Sequence, residues 1–441
     1  MRTPTPADLE VATLGQCTIE SPMQRHWAQA GEMEIFVSDE DKILLDDSLT
    51  SVSGALARSE RLLAFELAGP RRSIFFDPAK TSCAIVTCGG LCPGINDVIR
   101  SLTMQAYSRF GVQKIYGIRC GYEGLIKDYG HPVSELTPDA VRNIHTLGGS
   151  ILGTSRGPQD AVKIVERLCE LNINVLFIIG GDGTLRGADR IASESQRRNH
   201  AIAIVGIPKT IDNDILFTDK SFGYETACAA AQATRVAHTE ACTVRNGIGM
   251  VKLMGRHSGF IACSAALATN EADFVLIPEV SFSLEGENGL LKALHRCILQ
   301  KGNALIVVAE GAGQELFDDS IKDTDPSGNI LFKDIGLLLK RHIEKYFKER
   351  SLDVRFKYID PSYMIRGVPA NPHDSIYCAH LAQNAVHAAM AGKTGVAMGC
   401  WHGHYVHVPI GLAVAGRKQV DPKGDLWHSL IEATGQSPKF F

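Results

Sequence analysis

A short polar turn at residues 180–184, with the sequence Gly-Gly-Asp-Gly-Thr, sets one carboxylate, Asp182, among glycines that expose the backbone. Mg²⁺ in proteins takes one or two carboxylates together with substrate phosphates and water. Because glycines also let a polyanion approach the chain closely, Asp182 is a candidate ligand for a magnesium–phosphate complex. The alternative is that Asp182 is the N-cap of the following helix.

A second turn, residues 208–214 (Pro-Lys-Thr-Ile-Asp-Asn-Asp), brings an ammonium, a hydroxyl and two carboxylates together. A carboxylate beside a sugar hydroxyl can accept its proton while the hydroxyl attacks a γ-phosphoryl group, and a nearby cation offsets the charge. Two acids at this spacing also suit a helix cap or a solvated turn. A third turn, residues 89–96, begins with Gly89 and leads into a helical stretch. A glycine turn before a helix N-terminus is typical of phosphate binding, and the alternative is a plain strand-to-helix turn.

The turns follow short apolar runs that alternate with stretches of helical spacing. Such alternation predicts an α/β fold in which helices cover a mainly parallel sheet, with ligands bound beyond the carboxyl ends of the strands. The apolar runs are residues 83–86, 175–179, 202–205, 274–277 and 304–308. We therefore expect the chemistry to lie in the turns.

The composition limits the possible partners. The chain has 441 residues, and Lys+Arg 45 against Asp+Glu 49 gives a net charge of -4, which provides no general attraction for nucleic acid or an anionic membrane. Its apolar runs are shorter than the roughly 20 residues that span a bilayer. The N-terminus lacks a signal pattern and the 12 cysteines are scattered, so we expect a cytoplasmic protein with reduced thiols. Residues 1–80 differ in pattern and are interpreted as an N-terminal extension.

The turns resemble those of the 6-phosphofructokinase family, in particular the branch that contains the ATP-dependent enzymes of plants and trypanosomatids. The resemblance extends from about residue 83 to about residue 394. The motifs that carry it are residues 180–184 and 208–214, Met-Gly-Arg at 254–256, Ala-Glu-Gly at 309–311 and Tyr-Met-Ile-Arg at 363–366.

This resemblance implies two interwoven Rossmann-like lobes with mainly parallel sheets. The nucleotide-binding lobe is expected at residues 81–223 and 365–410. The fructose 6-phosphate-binding lobe is expected at residues 224–364 and 411–441. Both follow the N-terminal extension.

The resemblance further implies that Mg-ATP phosphorylates the 1-hydroxyl of fructose 6-phosphate. Asp212 matches the general base, Asp214 an acid that supports the same site, and Lys209 and Arg156 the cations that assist transfer, while Asp182 matches the Mg²⁺ ligand. The expected nucleotide contacts are Gly89, Arg156, Gly157, Gly181, Asp182, Gly183 and Thr184. The expected sugar-phosphate contacts are Thr210, Ile211, Asp212, Met254, Gly255, Arg256, Glu310, Tyr363, Met364, Ile365 and Arg366.

The choice of phosphoryl donor depends on Gly183 and Lys209. Members of the family that use pyrophosphate carry an aspartate in place of Gly183, together with a lysine that matches Lys209. Glycine leaves room for the α-phosphate and adenosine, whereas a carboxylate would repel that phosphate, so ATP is favoured. The alternatives are a pyrophosphate-dependent enzyme and a catalytically silent, regulatory sugar-phosphate-binding subunit. NAD and lipid kinases share Gly-Gly-Asp-Gly-Thr, but they do not explain residues 254–256 and 363–366.

The family's shared substrate site implies a homo-oligomer, either a dimer or a tetramer. Bacterial members place arginines from the neighbouring subunit at the positions of Gly247 and Lys357, which leaves Arg245 and Lys357 as candidate cations. The resemblance also implies an allosteric enzyme, although no motif identifies an effector. A metal site at His402, His404 and His407 is disfavoured, because strand alternation puts the third on the opposite face.

Overall fold

The computed structural model describes residues 4–24, 35–229, 231–317 and 331–441, and these form two compact units. The first unit consists of residues 1–210, 215–222 and 368–417. The second consists of residues 211–214, 223–367 and 418–441. The chain therefore passes from one unit to the other several times, as interwoven lobes require.

The strands in chain order are β1 (Ala12–Thr13), β2 (Ile19–Glu20), β3 (Lys42–Leu44), β4 (Ala64–Leu67), β5 (Ser73–Ile74), β6 (Ser82–Thr87), β7 (Lys114–Ile118), β8 (Val133–Glu135), β9 (Val175–Gly180), β10 (Ala203–Pro208), β11 (Gly247–Leu253), β12 (Phe274–Leu276), β13 (Asn303–Ala309), β14 (Arg355–Ile359), β15 (Lys393–Thr394), β16 (Val396–Trp401) and β17 (His404–Pro409).

The α-helices are α1 (Leu49–Ala57), α2 (Ile95–Gln105), α3 (Ala161–Glu170), α4 (Asp182–Arg197), α5 (Tyr224–Cys228), α6 (Ala231–Cys242), α7 (Phe260–Thr269), α8 (Leu290–Lys301), α9 (Ile335–Glu349), α10 (Ser362–Arg366), α11 (Pro372–Met390), α12 (Ile410–Ala413) and α13 (Asp425–Thr434). Short 3₁₀ turns cover Pro6–Leu9, Pro78–Lys80, Gly121–Leu125, Lys127–Tyr129, Ile144–Thr146 and Gln314–Leu316, and a π turn covers Ala106–Phe110.

A nine-stranded sheet forms the centre of the first unit, with the strand order β3-β4-β17-β16-β10-β9-β6-β7-β8. Strands β16, β10, β9, β6 and β7 run parallel, and antiparallel strands complete both edges. Every residue of β6, β9 and β10 is buried, which explains their continuous apolar sequences. The α/β prediction is confirmed.

Residues 4–24 and 35–80, predicted to be an N-terminal extension, group with the first unit. Strand β4 pairs with β17, and Phe65 on β4 is fully buried, with ring centroids 5.6 Å from Phe217 and 6.0 Å from Trp401. The sequence gives little sign of this because β4 is short and its partner strand lies near the other end of the chain.

A four-stranded parallel sheet, in the order β12-β13-β11-β14, forms the centre of the second unit. Gly247, at the start of β11, lies directly against α6: a Cβ at this position would come 2.0 Å from the carbonyl oxygen of Ala241. Helix and strand therefore pack more closely here than any side chain would allow.

The predicted lobe boundaries differ from these divisions in several places. Residues 411–417, expected in the sugar-phosphate lobe, belong to the first unit, and residues 365–367, expected in the nucleotide lobe, belong to the second. Residues 211–214, expected in the nucleotide lobe, belong to the second unit. The assignment of one substrate to each lobe stays a prediction.

Two further features bear on the sequence predictions. In the described part of the chain, no helix combines the length and apolar character needed to cross a membrane. His402 lies in the turn between β16 and β17 and not on a strand, whereas His407 is buried, with Nδ1 2.9 Å from Oε1 of Glu66. No cluster of three potential metal-binding side chains occurs in the described residues.

Replacing Phe65 by alanine should destabilise the first unit by about 3–5 kcal/mol, the usual cost of emptying a buried aromatic site. The measurement is the free energy of unfolding in urea. Leu56→Ala is the control, because Leu56 on α1 is 62% exposed and its loss should change stability little. Equal, small effects of the two substitutions would show that the N-terminal residues are a dispensable extension.

Candidate active site

Three of the predicted turns follow neighbouring parallel strands in the first unit. Strand β9 pairs with β6 on one side and with β10 on the other, and Pro208 at the end of β10 lies opposite Gly180 at the end of β9. The turns that begin at residues 88, 181 and 209 therefore meet at the carboxyl edge of one sheet, where α/β proteins bind ligands.

Asp182 is the first residue of α4, and Gly181 occupies the N-cap position, so the alternative that Asp182 caps the helix is wrong. Its Oδ1 atom is shut off from solvent and accepts no well-aligned hydrogen bond. Such an oxygen, beside the unpaired N–H groups of a helix N-terminus, fits a divalent cation that also carries phosphate ligands. Asp182 is therefore suited to hold Mg²⁺.

Open space surrounds Gly183. A Cβ at this position would meet no atom within 4 Å, and the backbone does not adopt a positive φ angle. Neither packing nor backbone conformation therefore requires a glycine here. The small size of residue 183 matters only to a molecule that occupies the open space.

Lys209, Gly89 and Thr184 come together above the sheet. The Lys209 side chain is buried, and its Nζ donates a hydrogen bond of 2.6 Å to the carbonyl oxygen of Gly90. Gly89 has a φ angle of +84°, and a Cβ on it would lie 3.8 Å from Lys209 Nζ and 3.9 Å from Thr184 Oγ1. The structure thus places a fixed ammonium group and a hydroxyl beside the half-buried backbone of a glycine.

The loop that carries Arg156 is tied to the same place. The Gly89 N–H donates to the carbonyl oxygen of Ser155 at 2.9 Å, and Gly157 adopts a φ angle of +95°. Arg156 itself is exposed. All seven predicted nucleotide contacts therefore lie in the first unit, on two turns and one attached loop.

Asp212 is a carboxylate of the second unit whose pKa is strongly raised. Its Oδ2 accepts a hydrogen bond of 3.2 Å from the Arg256 N–H, and its Oδ1 is inaccessible to solvent although part of the residue is exposed. Burial, and then the negative charges of Asp214 and Glu310, raise the pKa of Asp212 to about 7. A carboxylate with this pKa can take up and release a proton near neutral pH.

Glycines hold the surrounding turns together. Glu310 and Gly311 follow β13. The Glu310 N–H donates to the carbonyl oxygen of Leu253, the last residue of the neighbouring strand β11, at 2.9 Å. The Gly311 N–H donates to the carbonyl oxygen of Gly255, which follows β11, at 3.1 Å. Gly255 has a φ angle of +126°, and a Cβ on Gly311 would come 1.9 Å from the Arg256 carbonyl oxygen. This tight contact keeps Glu310 and Arg256 beside Asp212.

Arg256 and Arg366 supply positive charge to this cluster. Both lower the pKa of Glu310, although burial outweighs them and raises it. Arg366 also acts on Asp212 in the direction that favours its charged form. The predicted sugar-phosphate residues Asp212, Arg256, Glu310 and Arg366 are therefore coupled electrostatically within one unit.

The remaining predicted sugar-phosphate contacts differ in accessibility. Tyr363 is 89% exposed and Met364 is 75% exposed, both on the short helix α10. The side chains of three others are buried, so any contact with a ligand would involve their backbone; these are Ile211, Met254 and Ile365. Thr210 is partly buried, and its carbonyl oxygen accepts a hydrogen bond from Ser221 Oγ at 2.6 Å.

A model of the phosphofructokinase family matches residues 82–389 of this chain. The chain belongs to the phosphofructokinase family. The resemblance inferred from the turns is confirmed.

Named relatives extend the similarity beyond that region. The chain is 48% identical to an ATP-dependent 6-phosphofructokinase from Amycolatopsis methanolica, over 98% of this chain and 96% of the relative. It is 42% identical to an ATP-dependent 6-phosphofructokinase from Trypanosoma cruzi, over 98% of this chain and 88% of the relative. The crystal structure of a pyrophosphate-dependent phosphofructokinase from Marinobacter aquaeolei has the same fold, with a TM-score of 0.65 at 20% identity, over 80% of this chain and 91% of that chain.

Sequence reasoning missed two arginines at the predicted nucleotide turn of this phosphofructokinase. Nη2 of Arg186 lies 3.1 Å from Oδ1 of Asp182, and Nη2 of Arg417 lies 3.9 Å from its Oδ2. Arg186 could have been found, because a residue four positions after Asp182 on a helix shares its face. Nothing local in the sequence connects Arg417 to Asp182.

Missed as well was Ser258, whose Oγ donates a hydrogen bond of 2.7 Å to the Asp212 carbonyl oxygen. This bond fixes the backbone that carries the buried carboxylate. Its signal in the sequence is weak, because Ser258 follows the recognised Met-Gly-Arg motif at residues 254–256 but is not part of it.

The candidate cations for a neighbouring subunit also lie in the second unit. Gly247 leaves no room for the arginine that bacterial members carry at this position. Lys357, on β14, is half-exposed and lies 3.6 Å from Glu240, and Arg245 is exposed. Both remain available at the surface of the second unit.

Gly311→Ala should destabilise the second unit by about 1–3 kcal/mol, because the new methyl group must push away the Arg256 carbonyl. The midpoint of urea unfolding measures the change. The matched control is Gly367→Ala, since a Cβ at Gly367 meets no atom within 4 Å. If both variants unfold at the same urea concentration, the close contact between the two turns does not exist.

Proposed function

We propose that this chain transfers the γ-phosphoryl group of ATP to the 1-hydroxyl of fructose 6-phosphate, which yields fructose 1,6-bisphosphate and ADP. The observation that carries the proposal is the buried carboxylate of Asp212, whose pKa is raised to about 7, in a chain of the phosphofructokinase family. The relatives from Amycolatopsis methanolica and Trypanosoma cruzi, both ATP-dependent 6-phosphofructokinases, support it.

Asp212 acts as the general base. In its charged form it accepts the proton of the 1-hydroxyl as that oxygen attacks the γ-phosphorus atom. The Arg256 N–H, which donates to Oδ2, orients the carboxylate, and the hydrogen bond from Ser258 holds its backbone. A base whose pKa lies near the working pH combines a useful charged fraction with a strong drive to accept the proton.

Arg256, Arg366 and Glu310 bind the sugar phosphate. The two guanidinium groups offer paired N–H donors that match phosphate oxygens, while the Glu310 carboxylate accepts hydrogen bonds from sugar hydroxyls. Tyr363, exposed on the same short helix as Arg366, would contact the 6-phosphate.

The turns of the first unit bind the donor. Lys209 and Arg156 place positive charge against the transferred phosphoryl group, and Gly89, Gly181 and Thr184 present backbone and hydroxyl donors to the other phosphates. Asp182 would hold Mg²⁺, which would neutralise part of the charge of the donor phosphates.

Gly183 makes ATP the donor. A Cβ there would meet no atom within 4 Å, and this open space would take the α-phosphate and adenosine. An aspartate would fill that space with negative charge and disfavour a nucleotide relative to pyrophosphate.

The chain works as a homo-oligomer in the cytoplasm, with a cation from a neighbouring subunit completing the 6-phosphate site. The exposed side chains of Tyr363, Lys357 and Arg245 support a shared site. A silent regulatory subunit would not need catalytic groups. This chain has a candidate base in Asp212, a candidate metal ligand in Asp182 and a candidate transfer cation in Lys209, which favours an active enzyme.

The donor assay tests the proposal directly. Fructose 6-phosphate is offered with either ATP or pyrophosphate, and the bisphosphate product is measured. We expect turnover with ATP and at least about 100-fold less with pyrophosphate, because pyrophosphate has no nucleoside to make contacts with the protein.

Replacing Gly183 tests the account of donor choice. Gly183→Asp should reduce ATP turnover by a similar factor, while Gly183→Ala, whose methyl group meets no protein atom, should retain most of it. Turnover with pyrophosphate alone contradicts the proposal, and undiminished ATP use by Gly183→Asp contradicts the account of donor choice.

The pH dependence of kcat/KM for fructose 6-phosphate tests the base. The charged form of Asp212 is the active one, so kcat/KM should fall as the pH drops below about 7. The negative charge of Asp214 raises the pKa of Asp212, and Asp214→Asn should therefore move the acidic limb to lower pH. The substrate phosphate titrates identically in both enzymes and cancels from the comparison. Asp212→Asn, which cannot accept a proton, is the control and should be inactive throughout; an unshifted limb in Asp214→Asn would assign the titration to another group.

A further inference from the structure

Asp182 lies between two guanidinium groups that the family motifs do not include. Arg186, one helical turn further along α4, approaches both carboxylate oxygens, with Nη2 3.1 Å from Oδ1 and Nε 3.4 Å from Oδ2. Arg417 approaches from a different segment, with Nη2 3.9 Å from Oδ2. One carboxylate therefore faces two full positive charges.

These ion pairs contribute little to the stability of the fold. The Arg186 side chain is half-exposed, and exposed pairs of this kind add little to stability. A cation in the first turns of a helix is also placed unfavourably, because the helix N-terminus already carries partial positive charge. Two guanidinium groups thus share the single negative charge of Asp182. The arrangement suits the arrival of a polyanion.

Arg186 also lies next to the open space at residue 183. Residues three apart on a helix share a face, so Gly183 and Arg186 are neighbours on the surface of α4. A Cβ on Gly183 would meet no atom within 4 Å. A ligand group that fills this space therefore comes within reach of the Arg186 guanidinium.

We propose that Arg186 binds the α-phosphate of the nucleotide donor and is thus a second donor-specificity residue beside Gly183. This inference rests on the proposed function, in which the α-phosphate lies against Gly183. Before the donor binds, the Asp182 carboxylate holds the guanidinium in place. The α-phosphate then replaces the carboxylate as its partner, while Arg417 stays beside Asp182. Pyrophosphate has no α-phosphate and gains nothing from this arginine.

Isothermal titration calorimetry of the full chain with ADP and with inorganic pyrophosphate, each in the presence of Mg²⁺, tests the proposal without reference to turnover. Arg186→Gln should weaken ADP binding by about 10-fold to 100-fold, the range for losing hydrogen bonds between charged groups. Pyrophosphate binding should change less than about threefold. The control is Arg197→Gln, because Arg197 lies on the same helix and pairs with an acid at i−3, Glu194. It should bind both ligands like the unaltered chain.

The outcomes separate this proposal from the function on which it rests. ADP binding that Arg186→Gln leaves unchanged, or an equal loss for ADP and pyrophosphate, overturns the role of Arg186 only. If the unaltered chain binds no ADP, the ATP-dependent function falls and the proposal falls with it. Unchanged pyrophosphate binding also shows that the variant is folded, so a selective loss of ADP binding supports the α-phosphate contact.

Discussion

The withdrawal of the Asp212 carboxylate from water is the constraint on which the second unit depends. Taking a carboxylate out of water costs several kcal/mol unless nearby groups compensate for the loss of hydration. Here an N–H donor from Arg256 and the positive charge of Arg366 compensate in part, whereas Asp214 and Glu310 oppose the charged form. The balance leaves a group that changes its charge near neutral pH, which a fully solvated aspartate does not do.

Such a balance requires the charged groups to be fixed, and glycines make that possible. Gly255 supplies a backbone conformation that other residues rarely adopt, and Gly311 lets one turn pass within van der Waals distance of the other. Two backbone hydrogen bonds then lock Glu310 beside the Arg256 segment. These glycines carry no ionisable group themselves, yet the distance between the Glu310 carboxylate and the Arg256 segment depends on them.

The sequence allowed the main elements of this arrangement to be predicted, for a clear physical reason. Buried parallel strands have continuous apolar sequences, and their polar turns must meet at one edge, so the proximity of residues 180–184 and 208–210 followed from pattern alone. Long-range contacts gave no such signal. The pairing of β4 with β17 and the approach of Arg417 to Asp182 join residues distant in sequence, and the transfer of residues 211–214 to the second unit depends on tertiary packing.

The chain has a net charge of -4 and yet is expected to bind two phosphorylated molecules. This is possible because the cations of the site are held in place locally by partners within the protein. Lys209 donates to a backbone carbonyl, and Arg186 lies against Asp182. A cation held by a weak partner keeps its position, so less conformational entropy is lost when a phosphate takes that partner's place. The same pairing screens the site from unrelated anions, since each must compete with the carboxylate. A polyanion that meets several of these groups at once gains enough to displace it, whereas a single monovalent anion does not.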